Sequence, residues 1–139
     1  LAAGPTYAKE RSMTDFKTVH QAADAQFLKV YDSAYVATGT QSAAVDLEGR
    51  SPIRLLMPTG WETTSTIVHI DVSDDGTNYY ELWSAGTAYT VAVKKSVAVR
   101  VDPAVFWGCQ YIRLIGTTAR GTAFAQGTQG VVGIVARLI

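Results

Sequence analysis

Apolar and polar positions alternate in short runs along most of this chain, but one stretch near its start keeps a different rhythm. From Ser12 onward, Met13, Phe16, Val19, Ala23, Phe27 and Val30 recur at spacings of three and four, which lines one face of a helix. Ser12 is a suitable N-cap, with Asp15 three residues on. This stripe predicts an amphipathic helix that packs on its own domain or docks on a neighbouring subunit. The segment before it, Leu1 to Arg11, mixes Gly, Pro, Thr and charges without a period and reads as an extended arm.

After Tyr31 the helical period is lost, and Gly, Thr and Ser clusters begin to separate short runs rich in β-branched and aromatic residues. Eight runs read as strands: Ala43 to Leu47, Ile53 to Met57, Thr66 to Val72, Tyr79 to Trp83, Tyr89 to Val93, Val97 to Val101, Tyr111 to Ile115 and Val131 to Leu138. Their number and spacing predict an all-β fold, an antiparallel β-sandwich of jelly-roll type. Residues 35–139 are expected to form the sandwich and residues 1–34 the arm with its helix.

Period two separates an inner from an outer face. Thr66, Val68, Ile70 and Val72 point one way while Ile67, His69 and Asp71 point the other; Val97, Val99 and Val101 oppose Ala98 and Arg100. Val131 to Leu138 is apolar apart from Arg137, so it is expected to be central or covered on both sides. Between Gly116 and Gly130 runs a Gly-, Thr- and Gln-rich loop carrying Arg120 and Phe124, and a loop of this length is expected to make contacts.

Composition narrows the functions. At 139 residues and 47% hydrophobic, the chain fills one real core and leaves no room for two full domains. Twelve basic residues balance twelve acidic ones, so no net field draws the protein to nucleic acid or to an anionic membrane, and neither is expected as a partner. The single Cys109 forms no intrachain disulfide. No apolar run approaches the roughly 18 to 20 residues needed to cross a bilayer, and the chain reads as soluble.

Candidate chemistry is sparse. His20 and His69 are the histidines, and Ser65, Ser73 and Cys109 are the nucleophiles to consider. None lies in a nucleophile-elbow or papain-like context, so no enzyme activity and no cofactor are expected. His69 shares a strand face with Asp71 and is placed to bond it. Asp71, Ser73, Asp75 and Gly76 match the opening of a calcium loop, but Leu82 stands where its bidentate Glu is required. A hairpin turn with Gly76 at positive φ accounts for the same residues. Tyr79 and Tyr80 are adjacent on a strand, so one ring must face outward. The expected contact residues are therefore Met13, Phe16, Val19 and Phe27 on the arm, Tyr80 and Trp83 on the aromatic run, and Arg120 and Phe124 on the long loop.

Four segments in order carry a further pattern: Ala43 to Arg50, Leu55 to Trp61, Ile70 to Tyr79, and Val101 to Ala104 with Tyr111 to Leu114. From about Tyr35 onward the chain resembles small structural proteins of tailed bacteriophages, which share an Ala-Ile-Asp-Leu-Gly-Gly-like strand, a Met-Pro-x-x-Trp turn, a Ser-x-Asp-Gly hairpin and an Asp-Pro-Ala followed by a Tyr-Ile-Arg strand. It departs from them between Gly116 and Gly130, where their Ser-Gly-Thr loop and Pro-Val-Asn-Gln stretch are missing. The resemblance implies a β-sandwich virion component without catalytic residues. The expected role is a capsid decoration or head-fibre-type subunit in the virion, assembling with major capsid or tail proteins and with itself, a trimer being the first expectation. The alternatives are a carbohydrate-binding module whose partner is a glycan, and a tail adaptor component.

Overall fold

The computed structural model describes residues 27–138. In chain order the strands are β1 (Leu28–Tyr35), β2 (Val45–Asp46), β3 (Arg50–Leu56), β4 (Ile67–Ser73), β5 (Tyr80–Glu81), β6 (Trp83–Ser84), β7 (Thr87–Ala88), β8 (Thr90–Ala92), β9 (Ala98–Arg100), β10 (Tyr111–Thr117) and β11 (Gly130–Leu138). One short 3-10 helix, Pro103–Phe106, follows β9, and the Asp102 carboxylate caps it by accepting from the Ala104 N–H at 3.0 Å. A four-stranded sheet runs β1-β11-β3-β9; a five-stranded one runs β2-β10-β4-β5, with β8 also on β4.

All these pairings are antiparallel, and they are nested: β1 takes β11, β2 takes β10, β3 takes β9, and β4 takes β5 and β8. Successive nested pairs fall alternately in one sheet and the other. The fold is thus an all-β antiparallel sandwich, as the spacing of the strand runs predicts.

Burial follows the alternation. On β4 Val68 and Ile70 are sealed in the core while Ile67, His69 and Asp71 are only partly covered. On β11 Val132, Ile134 and Ala136 are sealed toward the core, and Val135 is covered on the opposite face. The apolar last run is therefore central, between β1 and β3. Leu47, Leu55, Ile112, Leu114 and Phe106 fill the space between the sheets. Trp61 closes one end of it, edge-on to Tyr35 with ring centroids 5.3 Å apart and its indole N–H donated to the Ser65 carbonyl at 2.8 Å.

The N-terminal expectation requires correction. Met13, Phe16, Val19 and Ala23 lie outside the described residues, but Val30 lies within β1, and the sandwich begins at Leu28 rather than at residue 35. The helical spacing yields here to tertiary pairing: residues 28–35 match β11 one for one from Leu28 opposite Arg137 to Tyr35 opposite Gly130. Tyr31, Ser33 and Tyr35 then turn inward, while Lys29 and Tyr31 both bond the Glu48 carboxylate, at 2.6 and 2.7 Å. Gly130 is the residue that permits this closure, because a Cβ there would collide with the Tyr35 hydroxyl. The expected strand Tyr79 to Trp83 is also divided, into β5 and β6, at the buried Leu82.

If β11 is the central strand, Ile134→Ala costs about 2 to 5 kcal/mol in chemical denaturation. Val131→Ala, on the same strand but facing outward, stays within about 0.5 kcal/mol of the parent. Equal losses at the two positions contradict this placement.

Candidate functional site

The outer face of the five-stranded sheet carries a charged ladder. Antiparallel register sets Arg113 of β10 opposite Asp71 of β4, and Asp71 in turn opposite Glu81 of β5. Two carboxylates directly across a strand pair repel unless each has its own counter-group. Asp71 takes Arg113, whose Nε and Nη2 both lie 3.2 Å from Oδ2. The same guanidinium stacks over the Tyr79 ring at 4.1 Å. Glu81 turns the other way, accepting the Trp83 indole N–H at 2.7 Å and bringing Oε2 to 3.3 Å from His69 Nδ1.

The expected His69–Asp71 pair is thus replaced by His69 against Glu81, since Arg113 has already claimed Asp71. His69 Nδ1 is buried and, despite this approach, makes no hydrogen bond among the described residues. Gly121 comes close to His69 Nε2, so the turn that carries Arg120 borders this cluster. Ser65 and Ser73 are buried, and burial, assisted by the Asp74 charge, pushes the Cys109 thiol up. A raised thiol is a poor nucleophile at neutral pH. What the arrangement offers chemically is a fixed set of charges and rings, suited to binding.

The Asp-rich motif is a turn that consumes its own ligands. Asp75 Oδ1 accepts from the Thr77 and Asn78 backbone N–H groups, both at 2.8 Å, and from the Ser73 hydroxyl at 3.0 Å; Oδ2 accepts from Asn78 Nδ2 at 2.8 Å. Gly76 supplies the positive φ of 77° and lies against the Tyr111 ring. Among the described residues no group of three or more His, Cys, Asp or Glu side chains is placed to hold a metal ion.

Tyr80 is the outward ring of the tyrosine pair, 71% exposed, while Tyr79 lies under Arg113. Trp83, 59% exposed, stands on the β6–β7 hairpin, whose two-residue turn places Ala85 and Gly86 at φ 54° and 83°. A third large ring, Trp107, is 62% exposed beside an open cleft of about 300 Å³ bordered by Arg50, Phe106 and Gln110. Trp107 is not among the contact residues expected from the sequence. Phe106 and Trp107 look alike in sequence; the 3-10 helix ends between them, burying the first and presenting the second.

The remaining expected contact residues are dispersed. Phe27 is exposed just before β1, which belongs to the other sheet. Arg120 points outward, but Phe124 is partly buried and its N–H bonds the Gly116 carbonyl at 2.9 Å. Farther along the loop, Gln126 bonds the backbone of Thr38, Gly39 and Glu62. The long loop is therefore tied back onto the domain at Phe124 and Gln126, while the turn at Arg120 stays exposed. Compared with protein-family models and with curated proteins, the chain matches none.

The four donors around Asp75 hold its carboxyl well below the usual carboxylate range. Because the folded value lies under the unfolded one, near 3.9, the stabilisation is present above about pH 4 and lost as pH falls toward the folded value. Asp75→Asn accordingly lowers the melting temperature at pH 7, and its difference from the parent shrinks steadily below about pH 4. A difference that is constant with pH in circular-dichroism melts contradicts this account.

Proposed function

We propose that this chain is a non-enzymatic structural subunit of a tailed-phage virion, of the capsid decoration or head-fibre type, which assembles with copies of itself and with capsid or tail proteins. The observation that carries the reading is the pair Tyr80 and Trp83, two large rings held out to solvent on consecutive short strands. Aromatic residues are enriched at interface centres, where they add contact area at small entropic cost. The Trp83 indole is already oriented by Glu81, so little ordering remains for a partner to impose. A formal net charge of zero leaves little repulsion between copies. The sequence resemblance supplies the virion setting, and a trimer is the proposed stoichiometry.

Truncating an interface aromatic typically costs about 2 kcal/mol or more, roughly thirtyfold in affinity. In light scattering on a sizing column the full chain therefore elutes as a multiple of 14.9 kDa, and Tyr80→Ser with Trp83→Ser returns it to 14.9 kDa. A parent chain that is monomeric at every concentration, or a double variant that stays fully assembled, overturns the reading.

A further inference from the structure

The assembly surface at Tyr80 and Trp83 leaves one exposed ring unused. Trp107 borders an open cleft of about 300 Å³ that neither of those residues lines. Two tight turns build it. The turn from Leu47 to Arg50 is closed by the Arg50 N–H donated to the Leu47 carbonyl at 2.9 Å, with Glu48 and Gly49 at φ 54° and 81°. The turn from Phe106 to Cys109 is closed by the Cys109 N–H on the Phe106 carbonyl at 3.0 Å. Its central residues, Trp107 at φ −60° and ψ 129° and Gly108 at φ 83°, have type II geometry, which sets the indole at the tip of the turn. The two turns are tied together: the Leu47 N–H bonds the Gln110 carbonyl at 2.8 Å, and Gln110 Nε2 bonds Asp46 Oδ1 at 2.9 Å. The cleft is thus fixed before any ligand arrives, and little ordering remains to oppose binding.

The chemistry of the cleft selects its ligand. Trp107 offers a flat apolar ring at the border. A Cβ at Gly49 or Gly108 would meet nothing within 4 Å, so both glycines answer to their positive φ, and both leave bare backbone along the cleft. Gln110 spends Nε2 on Asp46 and keeps Oε1 as an acceptor. The charges around the cleft are already answered: Glu48 Oε1 stands 3.7 Å from Arg50 Nη1, and Asp46 also accepts from the Glu48 N–H at 2.9 Å. An aromatic face beside paired charges and neutral hydrogen-bonding groups suits a molecule that is apolar on one side, hydroxylated at its edges and uncharged. The volume lies at the low end of small-ligand sites, roughly 300 to 1,000 Å³, and fits a short ligand. We propose that this cleft binds a neutral hexopyranose, its C–H face stacked on Trp107 and its hydroxyls bonded by Gln110 and the backbone of the two turns. The site is independent of whether copies assemble.

The test titrates the isotope-labelled full chain with methyl α-D-glucopyranoside and with methyl β-D-galactopyranoside, following the indole N–H signals of Trp61, Trp83 and Trp107 by NMR. The expected result is a saturable shift of the Trp107 signal with at least one sugar, at a Kd on the order of 1 mM, while Trp61 and Trp83 stay in place. Trp107→Ala weakens binding at least about tenfold, read from the Gln110 backbone amide, and Trp107→Phe restores part of it; the ring is exposed, so both variants keep the dispersed spectrum of the parent. No saturable shift with either sugar, a shift confined to Trp83, unchanged affinity in Trp107→Ala, or tighter binding of glucuronate than of the neutral glycosides overturns the proposal. A Trp107 signal that moves with protein concentration and not with sugar marks a contact between copies and overturns it too. A monomeric chain that binds sugar removes the self-assembly reading and leaves this one standing; an assembled chain that binds none does the reverse.

Discussion

Insertion of β11 between β1 and β3 is the constraint on which the rest of the sandwich depends. Val132, Ile134 and Ala136 line one side of the core, so the last strand supplies a wall that no earlier strand can replace. Its neighbours come from the first half of the chain, and loop closure over such separations is repaid only when the contacts form together. The nested pairing has the same origin. Once first and last strands pair, each inner pair closes on progressively shorter loops until β4 meets β5 and β8. Glycine at position 130 belongs to this constraint, because the Tyr35 hydroxyl occupies the space that any side chain there would need.

A sandwich closed in this way leaves two outer faces of different character. The five-stranded sheet presents paired charges, with Arg113 on Asp71 and Tyr79, and Glu81 between His69 and Trp83. These groups hold one another, and Tyr80 and Trp83 project from the rim. The four-stranded sheet presents Leu28, Val30, Val131 and Leu56 with Arg54, Arg100 and Arg137 among them.

Much of the fold is legible in sequence because period-two alternation is a local property. Val68 and Ile70 against His69 and Asp71 reveal an inner and an outer side without knowledge of any partner strand, and the apolar run of β11, broken only by Arg137, reveals a central strand. β1 is not legible in this way. Val30 continues a helical spacing by coincidence, and only the presence of β11 across from it decides that residues 28–35 are extended. The site divides along the same line. Tyr80 beside Tyr79 is readable, since adjacent strand residues must point apart. The partner of His69 is not, because it depends on Arg113 arriving from forty-two residues away to claim Asp71. Trp107 escapes notice because its exposure follows from where one turn of 3-10 helix ends. The long loop looks free in sequence but is tied down by Gln126, whose role appears only when Thr38, Gly39 and Glu62 are brought to it.

Hydrogen–deuterium exchange of the full chain at low and high protein concentration tests most directly whether the aromatic rim is a contact between copies. The account predicts that amides from Tyr80 to Ser84 gain protection as concentration rises, while those of β11 are equally slow at both. Protection at Tyr80 to Ser84 that does not change with concentration would contradict it.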